Sequence, residues 1–283
     1  MSSPLAKKQR TTSSEVPEQN QEEQVPQPQV IEHAGYDDHS VQLYTEMLFP
    51  KQLDPVPNHP IDQDMRASLI DTMMVSARAT PYPGAIHLAV LIFDQYFGKF
   101  QPAEGEAYLQ PQTVMDVALF IAVKYEYGGT GMAQALSIHN SDELEMELAI
   151  LGSFNWRLSS PTTKTFVDLF LCVNDQADDT LKFLCCYLMD LSLLDRDCSQ
   201  RYPSILAAAC AFLAQFMLHP GAKPQAVIPW DYKISDLQTT VVLLRDIILQ
   251  RRFVNTRAKY MSAQFQMVAN LGCGDNIPED YFS

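Results

Sequence analysis

The feature of this sequence that most restricts its fold is a long apolar segment at residues 112–127. Between Val114 and Val123 the only polar residue is Asp116, and the segment contains no glycine or proline. Such a composition favours a helix over a strand. A helix that is apolar on every side must be surrounded by other elements, so this segment predicts the centre of a helical domain.

A second segment of the same kind, at residues 203–217, predicts a second helical centre. Helical periodicity and capping signals place four further helices around each centre, and no convincing period-two strand pattern competes. The expected helices cover residues 62–77, 84–97, 112–127, 132–138 and 141–154, and then 162–173, 178–193, 203–217, 234–250 and 256–269. The sequence therefore predicts an all-α fold of two tandem five-helix repeats.

The ends of the chain differ from these two units. Residues 1–35 consist mainly of Ser, Pro, Gln and Glu, which predicts a disordered tail. A short amphipathic helix follows at 36–48, and the prolines after it separate this helix from the globular part in sequence. It can pack back on its own domain or help to bind a partner. The expected units are 36–158 and 159–271, with a C-terminal tail at 272–283.

Composition excludes several functions. The net charge of −14 disfavours a nucleic-acid binder, because phosphate contacts need clustered Lys and Arg. No apolar run is long enough to span a membrane. The six cysteines show no C-x-x-C spacing, the histidines have no metal-ligand pattern, and there is no phosphate-binding loop, so we expect reduced thiols, no metal and no cofactor. Asp190, Asp195 and Asp197 read as a capping, solvated turn rather than a metal site.

Six short motifs, in order, resemble the cyclin family and in particular its mitotic A/B type, although the sequence is somewhat divergent. The motifs are MRASLID at 65–71, LAVLIFDQYF at 88–97, IAVKYE at 121–126, the segment 144–162, LMDLSLLDRD with YPSILAAACAFLA at 188–214, and RAKYMSAQF at 257–265. The resemblance covers almost all of the chain from residue 36 to residue 271.

The resemblance implies a non-catalytic protein that binds and activates a cyclin-dependent serine/threonine protein kinase in G2/M or S phase. The kinase would supply ATP, magnesium and the catalytic residues, while this chain would hold the C-helix of the kinase in its active position. It also implies work in the nucleus and cytoplasm, with neither nucleic acid nor membrane as partner.

The same resemblance assigns a kinase-binding set. Lys124 matches a family lysine that donates to backbone carbonyls of the kinase, although it could simply cap its own helix. Glu147 matches the partner carboxylate. The apolar positions are Ile121, Tyr125, Leu151 and Leu158, with Tyr36 on the N-terminal helix. For Ile121 and Leu158, core packing is an equally open interpretation.

Two further groups follow from the resemblance. Arg66 and Asp94 are expected to form a buried pair between the first two helices, the alternative being that Arg66 lies at the surface. Met65, Leu69 and Gln112 match the family's groove for Arg-x-Leu peptides. Ser68 and Thr72 replace an isoleucine-type residue and a tryptophan there, so we expect weakened docking to substrates or inhibitors.

Other interpretations stay open at this point. Transcription factor IIB and the retinoblastoma pocket share the two-repeat helical fold without activating a kinase, and a helical enzyme is a third class. Binding to heparin or DNA at moderate salt would favour the DNA-binding version. The tail also lacks the R-x-x-L destruction box of mitotic cyclins, since its one arginine, Arg10, is followed by Thr-Thr-Ser.

Overall fold

The computed structural model describes residues 43–44, 46–56, 59–78, 83–99, 110–128, 141–174, 177–224, 232–274 and 276–282, with no side-chain description at 75–78 and 83. Within these ranges the regular structure is helical and contains no strand. The α-helices are α1 Gln63–Arg78, α2 Pro83–Lys99, α3 Pro111–Tyr127, α4 Ser141–Ser153, α5 Thr163–Val173, α6 Asp179–Ser192, α7 Arg196–Ser199, α8 Pro203–Leu218, α9 Ile234–Gln250 and α10 Val254–Tyr260.

The predicted central helices are confirmed. α3 buries its apolar residues between α2 and α4, while Gln112 and Asp116 near its start and residues 124–126 of its last turn are exposed. This helix ends at Gly128, whose φ of +69° is a left-handed cap and whose amide donates to the Lys124 carbonyl at 3.1 Å. Glycine adopts this conformation without the steric cost of a side chain. In the second repeat α8 is surrounded by α5, α6 and α9.

The last predicted helix, 256–269, is wrong in extent. α10 ends at Tyr260, and two 3₁₀ turns follow, Ala263–Phe265 and Val268–Asn270. The turns allow Phe265 to place its ring 4.8 Å from that of Tyr260 and allow Val268 to be fully buried. Tertiary packing has overridden local helix propensity here.

Other expectations meet the structure only in part. The predicted helix at 132–138 and Tyr36 lie outside the described residues. The expected C-terminal tail is packed, since Ile277 and Phe282 are buried and Phe282 stacks on Phe212 with ring centroids 5.2 Å apart. Its apolar side chains therefore belong to the core of the second repeat.

Residues 48–56, which we call the N-terminal strap, run across both repeats. The Phe49 ring packs on Phe166 of α5 at 5.6 Å, and the Gln52 side chain accepts from the Ser204 amide at the start of α8. Gly98 lies under Val56, because a Cβ at Gly98 would approach Val56 Cγ1 to 2.5 Å. The described part of the proline-rich segment begins with a 3₁₀ turn at Phe49–Lys51 and then has no regular structure to residue 56, and it is bound to the globular part rather than separate from it.

Arg66 joins the two repeats. Its Nε and Nη2 donate to Asp94 Oδ1 and Oδ2 at 2.8 and 2.6 Å, which confirms the predicted pair. Its Nη1 donates to the Leu193 carbonyl at 2.8 Å, at the end of α6 in the second repeat. The side chain is only 1% exposed. Burial would lower the pKa of Arg66, but the Asp94 charge outweighs it and the pKa is raised.

Asp190 is not solvated, which corrects the expectation for the charged turn at 190–197. It is buried on α6 and accepts from Lys259 Nζ at 2.8 Å and from Tyr260 Oη at 2.7 Å, while His87 Nε2 lies 3.0 Å away. Burial would raise its pKa, but Lys259 and His87 hold the pKa well below its usual range. Asp195 does cap α7, by accepting from the Cys198 amide.

A third polar contact between the repeats lies at the start of α10. Asp71 of α1 accepts from the amides of Asn255 and Thr256 at 3.2 and 3.0 Å and from the Thr256 hydroxyl at 2.9 Å. Amides in the first turn of a helix have no partner within the helix, so this carboxylate satisfies them from the other repeat.

Arg66→Ala should lower the free energy of unfolding by about 3–5 kcal/mol, because it leaves the largely buried Asp94 carboxylate without its guanidinium partner. Arg252→Ala is the matched control, since Arg252 pairs with Asp64 at the same 2.6 Å but at the surface. Breaking such an exposed pair costs about 0.2–1 kcal/mol. Urea unfolding measures both variants, and equal losses would contradict the bridging role of Arg66.

The lowered pKa of Asp190 predicts a loss of stability in acid. The unfolded chain takes up a proton at this carboxyl at a higher pH than the native chain, so stability is present above the unfolded pKa and falls as the pH falls further. The free energy of unfolding of Asp190→Asn should therefore change less than that of wild type between about pH 5 and pH 3. Parallel pH profiles would contradict the assignment.

Candidate functional site

The end of α3 and the middle of α4 form an ion pair at the surface of the first repeat. Lys124 Nζ lies 2.6 Å from Glu147 Oε1 and 4.8 Å from the centroid of the Phe120 ring. The Lys124 side chain is 43% exposed, whereas that of Glu147 is 8% exposed. The carboxylate and the ring thus hold the ammonium group in place while part of it faces solvent. An ammonium has three N–H donors, so donors remain for an external acceptor.

Apolar side chains surround this pair. Leu144, Leu148 and Leu151 share one side of α4 with Glu147, at separations of three and four residues. Leu144 and Leu148 are half-exposed and Leu151 is partly buried, while Tyr125, one residue after Lys124, is 49% exposed. We use the name α3–α4 face for the set made of Lys124, Tyr125, Leu144, Glu147, Leu148, Leu151 and Trp156, the last of which is described below.

Trp156 was missed in the sequence analysis. It is 66% exposed, and both it and Asn155 have positive φ, at 59° and 50°. The Trp156 amide donates to the Leu151 carbonyl at 3.0 Å, so a tight turn at the end of α4 holds this indole at the surface. Conformations of this kind are uncommon for large side chains and concentrate at functional positions. The signal available in the sequence was a tryptophan between a helix and the junction at 159–162.

The structure separates the predicted kinase-binding residues into two groups. Lys124, Glu147, Tyr125 and Leu151 lie on the α3–α4 face. Ile121 and Leu158 are 2% and 8% exposed and belong to the core beneath it, so core packing is the interpretation that the structure supports for them. Their contact with a kinase stays a prediction.

The predicted docking patch has surface residues but a polar centre. Met65 and Gln112 are exposed and Leu69 is half-buried. Ser68 and Thr72 are exposed between them, and the Thr72 hydroxyl donates to the Ser68 carbonyl at 2.8 Å. Gln112 donates to Asp116 Oδ1 on its own helix at 2.9 Å. The large apolar surface of a tryptophan is missing, and weakened docking stays a prediction.

Metal binding, membrane insertion and thiol chemistry concern the remaining side chains of the described ranges. Within the ranges the structure describes, His, Cys, Asp and Glu side chains form no group of three or more that could hold a metal ion. In the same part of the chain, each helix is too short or too polar to cross a membrane. None of the six cysteines, all of which lie in the described ranges, forms a disulfide, and burial raises the pKa of Cys185, Cys198 and Cys210 well above the usual value.

Comparisons with known proteins agree with this architecture. The family description "Cyclin, N-terminal domain" matches residues 40–159, and "Cyclin, C-terminal domain" matches residues 161–273. The G2/mitotic-specific cyclin C13-1 of Daucus carota is 30% identical over 240 residues, which cover 79% of this chain and 69% of the relative. Cyclin-A3-3 of Arabidopsis thaliana is 34% identical over 181 residues, or 58% of this chain and 55% of the relative.

Cyclin-A1-3 of Oryza sativa subsp. japonica is 28% identical over 245 residues, and the match covers 78% of this chain but only 48% of the relative. Fold and motifs together define an all-α protein of two cyclin-box repeats. The chain belongs to the cyclin family, as a divergent member similar to plant mitotic A/B-type cyclins. Proteins of this family are regulatory and generally not catalytic.

Because Ile121 lies in the core and Tyr125 lies at the surface, variants of these two residues should differ in stability. Ile121→Ala should lower the free energy of unfolding by about 2–5 kcal/mol, because it leaves a cavity in the core. Tyr125→Ala removes a half-exposed side chain and should stay within about 0.5 kcal/mol of wild type. Urea unfolding distinguishes the two, and a large loss for Tyr125→Ala would place that residue in the core.

Proposed function

We propose that this chain binds a cyclin-dependent protein kinase through the α3–α4 face and activates it. The observation that carries the proposal is the Lys124–Glu147 pair, set among exposed apolar side chains in a chain of the cyclin family. Single exposed apolar side chains are common, but several that adjoin one another at a surface mark an interaction site. The resemblance to A/B-type cyclins points to the kinase as that partner.

Each part of the face has a role in this proposal. Lys124 donates to backbone carbonyls near the C-helix of the kinase, and Glu147 holds the ammonium and accepts from the same segment. Because the ion pair already exists in the free chain, little side-chain entropy is lost on binding. Tyr125, Leu148 and Trp156 supply apolar area, and an aromatic side chain at such a position is a typical binding hot spot.

Activation is a shift in the conformational equilibrium of the kinase. The face binds the arrangement in which the C-helix lies inward, and this arrangement keeps the Lys–Glu pair of the kinase formed. To change the ratio of active to inactive kinase from 1:99 to 99:1, the face must bind the active form about 5.5 kcal/mol more tightly than the inactive form. A rigid face can supply this difference, and α3 is rigid because it is buried on nearly every side.

The finer assignments are part of the same proposal. By similarity to mitotic cyclins we place the activity in G2/M or S phase and in the nucleus and cytoplasm. Imaging of the tagged full chain in synchronised cells tests both, and exclusion from the nucleus at all stages would contradict the location.

Lys124→Glu should abolish kinase activation, because it places a second carboxylate beside Glu147 and removes the donors from the α3–α4 face. The fold should stay intact. The assay mixes the purified chain with a monomeric cell-cycle kinase of the same source and follows histone phosphorylation. We expect a loss of at least about tenfold, equivalent to 1.4 kcal/mol.

Lys233→Glu is the matched control, since Lys233 is an exposed lysine of the second repeat, at the start of α9. This variant should activate the kinase as wild type does, and both variants should show the helical circular dichroism of wild type. Equal activation by Lys124→Glu and Lys233→Glu would exclude the α3–α4 face as the interface. Failure of folded wild type to activate any kinase would favour a cyclin fold that serves another partner.

A further inference from the structure

The second repeat has an exposed apolar surface of its own. Val254, Ala258 and Met261 lie on one side of α10, at separations of four and three residues, and all three are exposed, with Val254 at 70%. The Met267 amide donates to the Ser262 carbonyl at 3.1 Å, which places the exposed Met267 beside the end of α10. We call these four apolar residues the α10 face.

The stretch of sequence that contains the α10 face is basic, although the protein as a whole is acidic. No Asp or Glu occurs between Asp246 and Asp275, whereas the net charge of the chain is −14. Four cationic residues lie in this interval, namely Arg251, Arg252, Arg257 and Lys259.

Two of these four cations already have carboxylate partners. Arg252 pairs with Asp64 at 2.6 Å and Lys259 with Asp190 at 2.8 Å. Among the ion pairs of the described ranges, neither Arg251 nor Arg257 has a carboxylate partner. Arg251 is exposed, and Arg257 is half-buried and hydrogen-bonded to Tyr187. Each lies three residues from Val254 in sequence, so two positive charges without a carboxylate partner among these ion pairs flank the apolar residues.

The face is also held rigidly from behind. Asp71 accepts from the first amides of α10. The buried Asp190 accepts from Lys259 and Tyr260, which lie on the side of this helix away from the α10 face. A partner would therefore meet a surface that is already in its bound shape, which reduces the entropic cost of binding.

We propose that the α10 face docks an acidic, amphipathic segment of a partner protein. Apolar side chains of that segment cover Val254 and Met261, while its carboxylates reach Arg251 and Arg257. Charge complementarity selects such a segment over a basic one. A second copy of this chain is a poor occupant, because a two-fold dimer through this face would bring Arg251 and Arg257 of both copies together. The α10 face belongs to the second repeat, whereas the proposed kinase interface belongs to the first. This proposal therefore does not depend on the proposed kinase interface.

The test uses the full chain and a fluorescein-labelled synthetic helix with leucines at i and i+4 and glutamates elsewhere. The control peptide carries lysine in place of each glutamate. Fluorescence anisotropy should show binding of the acidic peptide only, and higher salt should weaken it because exposed charges are screened. Val254→Asp and Arg251→Glu should each reduce the affinity about tenfold, or by 1.4 kcal/mol.

Leu144→Asp is the matched control, since it places the same charge on a half-exposed apolar residue of the first repeat. It should bind the peptide as wild type does but lose kinase activation, and Val254→Asp should do the reverse, so the two proposals fail separately. Equal binding of the two peptides, or unchanged affinity in folded Val254→Asp and Arg251→Glu, overturns the proposal. A dimer in sedimentation that Val254→Asp dissociates would identify a second copy as the occupant and overturn it too.

Discussion

The buried guanidinium of Arg66 determines how the two repeats fit together. A charge in the interior is tolerated only when it is paired and its donors are satisfied. Here Asp94 of the first repeat supplies the counter-charge, and the Leu193 carbonyl of the second supplies a further acceptor. The hydrogen bonds are directional, so the end of α6 must lie at one position relative to α1 and α2. Apolar contacts alone would allow the repeats to slide against each other.

The other contacts between the repeats follow the same principle. Asp71 completes the first turn of α10, the strap joins α2 to α8, and Asp190 gathers His87 and Lys259 from different repeats. Each contact leaves a buried polar group unsatisfied if one repeat moves. These contacts fix the two repeats relative to each other, which suits the proposed function, because a preorganised surface loses less entropy when it binds a partner.

Local sequence determined much of this structure. The two central helices were predictable because a helix that is apolar on all sides has only one kind of environment. Lys124 at the end of α3 was predictable from the change in composition there, and Arg66–Asp94 from the family resemblance. The Leu193 carbonyl and the burial of Asp190 were not predictable, because those contacts join residues 127 and 103 positions apart. The early end of α10 was missed since it depends on the burial of Phe265 and Val268, which helix propensity does not contain.

The two repeats present related surfaces with different electrostatics. In each, the last α-helix of the unit, α4 or α10, exposes apolar side chains at helical spacing. In the first repeat the cation beside these side chains, Lys124, is paired with Glu147 and keeps donors for backbone carbonyls. In the second repeat Arg251 and Arg257 have no such carboxylate within the described ranges, so the surface favours an acidic partner. Under the two proposals, the repeats of one helical architecture distinguish their partners by charge, since specificity depends as much on repelling the wrong ligand as on binding the right one.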